Sequence, residues 1–246
     1  MTTVAAAGRR VLPRGWGDFA FQISLWAGFL LAYQLARGLA DRNPGKAFTN
    51  GLNIIDFETR TNALIEISLQ SFVHSSNFLI AATSYTYWLS QFTVLALALL
   101  WVYLRRNEAF LRFRNLLMLA NLLGLAGYVL LPTAPPRMFP GVGFLDTLEV
   151  FGGLNHRSGL VEFASNPYAA MPSLHAADAL IVGVTLAFVC RSWLARAVWL
   201  AWPVWVWFSV MATGNHFWVD VVAGVLVAAL AALVLFRKQV VAALRR

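Results

Sequence analysis

The stretch FWVDVVAGVLVAALAALVLF, Phe217–Phe236, decides the fold: it is apolar throughout except for Asp220. A helix of about 20 largely apolar residues crosses the roughly 30 Å hydrocarbon core of a bilayer. Outward from it, five more stretches have this character, approximately Phe19–Leu35, Asn77–Leu104, Leu111–Leu131, Leu174–Cys190 and Ala195–Ala212. The whole chain agrees. Of its 246 residues 59% are apolar and only 12% charged, where soluble domains run at about 45–50% and about 25%. So little charge cannot clothe a water-facing surface, and so much Leu, Val, Phe and Trp excludes a disordered chain. The lone cysteine, Cys190, excludes an intrachain disulfide framework and a cysteine-rich metal site. The sequence predicts an all-α integral membrane protein, with a cytoplasmic N-terminal segment (residues 1–18) and one six-helix membrane domain (residues 19–246).

The basic residues orient this bundle. With the N-terminus inside, the inner segments hold Arg9, Arg10, Arg14, Arg105, Arg106, Arg112, Arg114, Arg191, Arg196, Arg237, Lys238, Arg245 and Arg246; the outer ones hold Arg37, Arg42, Lys46, Arg60, Arg137 and Arg157. That is 13 against 6. Cytoplasmic loops collect Lys and Arg, so both termini are expected in the cytoplasm of a multi-pass cell-membrane protein. The same rim accounts for the net charge of +8 without nucleic acid. Arg9, Arg10 and Arg14 precede the first apolar run as in a signal peptide. That run is long for a signal core, however, and Tyr33-Gln34-Leu35-Ala36-Arg37 makes a poor cleavage site, so it reads as a span. Pro203 predicts a kink in the fifth span. Between the first two spans, Asp56–Val73 mixes Leu64, Ile67 and Phe72 with Glu58, Arg60 and Glu66, which predicts an amphipathic helix at the interface.

The chemistry collects at one end. The longest outer loop after that helix, about residues 132–172, opens with Pro132-Thr133-Ala134-Pro135-Pro136-Arg137 and closes with Met171-Pro172-Ser173-Leu174-His175. Prolines at both ends point to a shaped cap. His175 begins the fourth span, where free backbone N–H groups favour an anion. His216 and Asp220 lie four residues apart at the outer start of the sixth, on one helix face. A carboxylate there is costly unless paired, and His216 is the obvious partner. An imidazole held on one nitrogen presents the other as a nucleophile or base. His175 could then protonate a leaving alcohol, and Arg137 could clamp phosphate oxygens.

Each residue also has a plainer reading. A His–Asp pair on a membrane helix is more often structural than catalytic, His175 could be a solvated interfacial residue, and Arg137 could be a snorkelling rim charge. Asp178 could orient His175 or face another helix. His74 reads as an interfacial histidine, His156 and Arg157 as cap residues able to touch a headgroup, and Trp202, Trp205 and Trp207 as packing and belt residues.

The ordered blocks Pro135-Pro136-Arg137, Met171-Pro172-Ser173-Leu174-His175-Ala176 and Asn215-His216-Phe217-x-x-Asp220 resemble the type 2 phosphatidic acid phosphatase superfamily. The resemblance is closer to its inositol phosphorylceramide synthase-like subgroup, and it covers approximately Asn77–Phe236. It implies a six-helix core and metal-independent phosphoryl transfer without a cofactor. In that reading His216 attacks phosphorus and becomes a phosphohistidine, Asp220 orients it and His175 protonates the leaving oxygen. Ser173 helps to bind the phosphate. The chain departs from the wider family where Leu130 and Val210 replace a Lys and an Arg, and Leu174 a Gly. Two cationic phosphate ligands are thereby missing, which puts more of that role on Arg137, with Asn215 and Thr213 as candidate further donors. The absence of the second of these cations again favours the synthase-like branch.

The expectation is a membrane enzyme that cleaves or transfers the phosphoryl group of a phosphorylated lipid at the extracytoplasmic face. The close alternative is transfer of a phospho-headgroup between lipids. The alternative from another class is a transporter or lipid-binding protein with a His/Asp relay. Against it, the titratable groups cluster at one face rather than at midplane. The partners implied are a lipid phosphate or phospholipid and the bilayer; the oligomeric state and the lipid's identity are not encoded legibly.

Overall fold

The computed structural model describes residues 12–40, 43–151 and 167–244. Most of the expected cytoplasmic N-terminal segment and the middle of the outer loop lie outside them, and with these the roles assigned to Arg9, Arg10, Arg42, His156, Arg157, Arg245 and Arg246. The side chains of Arg37 and Lys238 are likewise outside what is described.

Helices make up nearly all of the described chain. They are α1 (Gly15–Ala40), α2 (Pro44–Arg60), α3 (Glu66–His74), α4 (Asn77–Arg105) and α5 (Asn107–Leu130), followed by α6 (Thr147–Phe151), α7 (Leu174–Val189), α8 (Trp193–Ala212) and α9 (Trp218–Leu244). Two short 3₁₀ turns, Pro136–Met138 and Pro140–Val142, lie between α5 and α6. Among the described residues there is no strand, only an isolated bridge between Thr133 and Ala169.

Four helices are long and apolar enough to cross a membrane: α4, α5, α8 and the Trp218–Arg237 part of α9. The sequence predicts six spans. The other two predicted spans fall on α7, which is apolar and 16 residues long, and on α1, which carries Asp18 and Gln22 near its start. α7 packs against α4, α5, α8 and α9. Its apolar residues therefore face protein, as expected of a helix that is hydrophobic all round. Leu174, Ala177, Ile181, Val182 and Leu186 join Phe113 and Leu117 of α5 and Ala228 and Ala231 of α9 in the largest buried cluster. The polar groups of α1 are not left bare. The Tyr103 hydroxyl donates to Asp18 Oδ2 at 2.8 Å, and Arg114 Nη1 donates to Gln22 Oε1 at 2.6 Å.

One expectation is corrected. The single amphipathic helix over Asp56–Val73 is two helices, because α2 ends at Arg60 and Asn62 takes φ +53°, a left-handed conformation that Asn tolerates. α2 also starts earlier, where the Asn43 side chain accepts from Lys46 N at 3.1 Å and Pro44 opens the helix. Pro203 lies inside α8. The helix continues through it, and Gly183 of α7 makes room for the proline ring, since a Cβ there would meet Pro203 Cγ at 2.8 Å.

The outer loop is tied to the bundle by its own backbone. Thr133 N donates to Tyr168 O at 2.8 Å, Ala170 N donates to Thr133 O at 3.2 Å, and Ala134 N donates to Ala47 O of α2 at 3.0 Å. Ala47 and Ile55 of α2 are buried together with Ala134, Phe139, Phe144 and Phe217. These contacts set the loop over the starts of α7 and α9.

Candidate active site

The start of α7 is built by Ser173, whose side chain accepts from Ala176 N at 3.3 Å as the helix cap. Ser173 N donates to Asp220 O of α9 at 2.9 Å. The two helix starts approach so closely that a Cβ on Gly224 would come within 2.2 Å of Ser173 O. His175 and His216 are thereby brought together, their ring centroids 5.5 Å apart and their planes inclined by 62°. Tyr87 of α4 stacks on the other side of His175, 4.5 Å between centroids.

His216 Nδ1 lies 2.8 Å from Ala170 O and 3.7 Å from Asp220 Oδ2. A carbonyl can only accept, so the proton sits on Nδ1 and Nε2 keeps its lone pair. The His–Asp pair read from the sequence is present but is the longer of the two contacts at Nδ1. Ala170 makes the short bond, the carboxylate flanks it, and Asp220 Oδ2 accepts from Phe217 N at 2.8 Å. Burial pushes the His216 imidazole down to about 3; the Ala170 bond opposes this and the Arg137 charge adds to it. The ring is neutral at ordinary pH, the form that a nucleophile needs.

Arg137 reaches the same place from the turn after α5. Its backbone N–H donates to Gly214 O at 2.9 Å and Nη1 donates to Asn215 Oδ1, while Nε stands 3.7 Å from Asp146 Oδ2. Gly214 has φ +73°, and a Cβ there would meet Leu145 O at 2.5 Å, so the turn before His216 has room only for glycine. Burial lowers the affinity of the Arg137 guanidinium for its proton, opposed by Tyr87 and Asp146.

Of the residues predicted from sequence, His175, His216, Arg137 and Asn215 line one cavity of about 170 Å³. Ser173 and Asp220 are fully buried and not in its wall. Asp178 does line it, facing helix partners rather than His175: Oδ1 accepts from Asn121 Nδ2 and Oδ2 from Gln91 Nε2, each at 2.8 Å. His74 lies 3.0 Å from the Thr147 hydroxyl, which itself donates to Ala212 O; this holds α6 in place.

Sequence reasoning missed the Ala170 carbonyl, which has no side-chain signature, and a pair of acids beneath the site. Glu58 of α2 and Glu66 of α3 are fully buried, and Glu66 Oε1 accepts from Trp218 N, the first residue of α9, at 2.6 Å. Burial raises both carboxyls, that of Glu58 to about 9 with the Glu66 charge adding to it. Both residues were legible only as the polar face of an interfacial helix.

The model of one protein family, described as the PAP2 superfamily, matches residues 52–234, which takes in most of α2, all of α3 and every candidate site residue. A phosphoinositol dihydroceramide synthase of Bacteroides thetaiotaomicron is 30% identical over 135 residues, 49% of this chain and 44% of that protein. The chain thus spans less than half the length of that relative. No solved structure matches it.

Proposed function

The chain belongs to the PAP2 superfamily, and on that premise we propose that it is a membrane enzyme acting on the phosphoryl group of a lipid through a phosphohistidine on His216. One observation carries this reading: two imidazoles 5.5 Å apart share a cavity with a guanidinium, and one of them is held with its Nε2 unprotonated. In the first half-reaction Nε2 of His216 attacks phosphorus, the P–O bond to the leaving group breaks, and His175, which takes up a proton when the anionic phosphate binds beside it, gives that proton to the departing oxygen. In the second, water or another alcohol attacks phosphorus, the N–P bond breaks, and the attacking oxygen loses its proton to His175. Arg137 holds the non-bridging oxygens, so the developing charge meets a fixed donor, and Asn215 positions the guanidinium by accepting from Nη1 while its own amide group donates to Thr213. Asp220 acts at one remove by fixing the backbone beside His216. Neither half-reaction calls for a metal.

The likeness to a phosphoinositol dihydroceramide synthase favours a second reading of the same site, in which the acceptor is a lipid alcohol and the group transferred is a phospho-headgroup. In either case the bundle has six spans, with α1 and α7 joining the four longer helices. Both termini lie in the cytoplasm, and the cavity opens at the extracytoplasmic face beneath the cap at about residues 132–172. The satisfied polar groups of α1 support its place in that bundle.

Phosphate release and headgroup exchange, measured on lipid phosphates and phosphodiesters with the purified protein, test the reading. Turnover should vanish in a folded His216→Ala variant, and radiolabelled substrate should leave an acid-labile phosphoryl group on the wild-type chain alone. Undiminished turnover in the variant removes His216 as the nucleophile.

A further inference from the structure

One polar cluster in the cavity takes no part in these steps. Asp178 lies three residues after His175 on α7, about 4.5 Å further along the helix. It is buried, and no ion pair is formed by it among the described residues. Gln91 and Asn121 each donate one amide N–H to it. Gln91 belongs to Ser90–Val94, where α4 loosens into a π-helical turn, an irregularity that recurs at functional sites. Gln91 Oε1 is itself buried with no hydrogen-bond partner. A regular α4 without buried polar groups would serve packing better, since an unmet buried acceptor is costly.

The balance of donors and acceptors says what this cluster lacks. Its amide groups spend donors on the carboxylate. A carboxylate has about four lone-pair sites and here meets two donors. What remains, beside the second N–H of Gln91, is acceptor capacity on Asp178 and Gln91, in the wall that also carries His175 and His216. We infer that Asp178 and Gln91 form a subsite for a hydrogen-bond donor, a hydroxyl or amide N–H carried by the substrate within a few bonds of the phosphorus. The inference rests on the proposed phosphoryl-transfer reading and adds a selection rule to it. A substrate whose neighbouring groups are only ester oxygens sets acceptor against acceptor there and is rejected, because sites built to bond a donor discriminate strongly against analogues lacking it. The donor can come from the lipid backbone or from an accepting polyol.

Two arms separate these sources. In the first, phosphate release is compared for 1-acyl lysophosphatidate, which has a free hydroxyl beside the phosphate ester, and its 2-deoxy analogue. In the second, labelled myo-inositol is compared with cyclohexanol as phosphoryl acceptor. The wild-type full chain should favour the hydroxylated member of at least one pair by tenfold or more in kcat/KM. Gln91→Met and Asp178→Asn should bring that ratio to within about twofold of unity. The arm that responds names the source. Near-equal use of both members in both arms by the wild type overturns the inference whether or not the variants fold, as does a ratio that survives both substitutions. Binding of the two lipid phosphates to His216→Ala, followed by thermal shift, is read alongside. If no preparation turns over substrate but the hydroxylated lipid still binds more tightly and Gln91→Met erases the difference, the catalytic reading fails while the subsite stands.

Discussion

His216 shows how much a single backbone atom contributes. The Ala170 carbonyl at 2.8 Å settles which ring nitrogen holds the proton, while the carboxylate that the sequence singles out stands 3.7 Å away. Asp220→Asn should accordingly lower kcat less than His216→Ala, because the neutral amide still accepts from Phe217 N and the Ala170 bond is untouched; equal losses in steady-state assays would return the orienting role to the carboxylate. Arg137 anchors by its backbone N–H and Nη1 and joins the cavity wall with its planar fork. A lysine offers a point charge without that geometry. Arg137→Lys should therefore cost about 10–100-fold in kcat/KM, a loss of roughly 1.4–2.7 kcal/mol in transition-state binding, and a variant within twofold of wild type counts against the phosphate clamp. Activity should persist in excess chelator, since histidine rather than a metal-bound oxygen attacks; strict dependence on added Mg²⁺ would falsify that step.

Among the helices, the starts of α7 and α9 matter most. Gly224 has no side chain because Ser173 O occupies the space, so Gly224→Ala should push the two histidines apart and destabilise the chain by roughly 1–3 kcal/mol. A lowered melting temperature together with lost turnover is the expected result. α2 and α3 act on the same place through the buried acids at the start of α9. The Glu58 carboxyl keeps its proton to about pH 9 when folded, against an ordinary value of 4.5. Between these values the folded state binds more protons than the unfolded one, so stability is full below pH 4.5 and declines as pH rises towards 9. Melting temperatures in detergent should fall across that range in the wild type and fall less in Glu58→Gln; parallel curves would show that Glu58 titrates normally. The N-terminal boundary of α2 was written in Asn43-Pro44, a side-chain cap followed by the residue best suited to the first turn. Its end at Asn62 was not, because one left-handed residue interrupts an amphipathic pattern that runs on unchanged.

For the molecule as a whole, the arrangement of ends predicts an accessible face. In a Cys190→Ser background, Gly141→Cys in the exposed turn after Arg137 should label from outside intact cells with an impermeant reagent, whereas in the wild type native Cys190 should label only after permeabilisation. The reverse pattern inverts the bundle. By itself the sequence determined that the chain is helical and belongs in a membrane, and it marked His175, His216 and Arg137 by their spacing. These properties are local, since apolar length and short motifs survive in one dimension. Only the tertiary structure decided that Ala170 rather than Asp220 holds the imidazole. It alone brought Gln91 and Asn121 to Asp178 across 87 and 57 residues, and two interfacial acids to the first turn of α9. The reason is that a backbone carbonyl looks alike at every position, and a buried polar side chain finds its partner by packing between helices far apart along the chain.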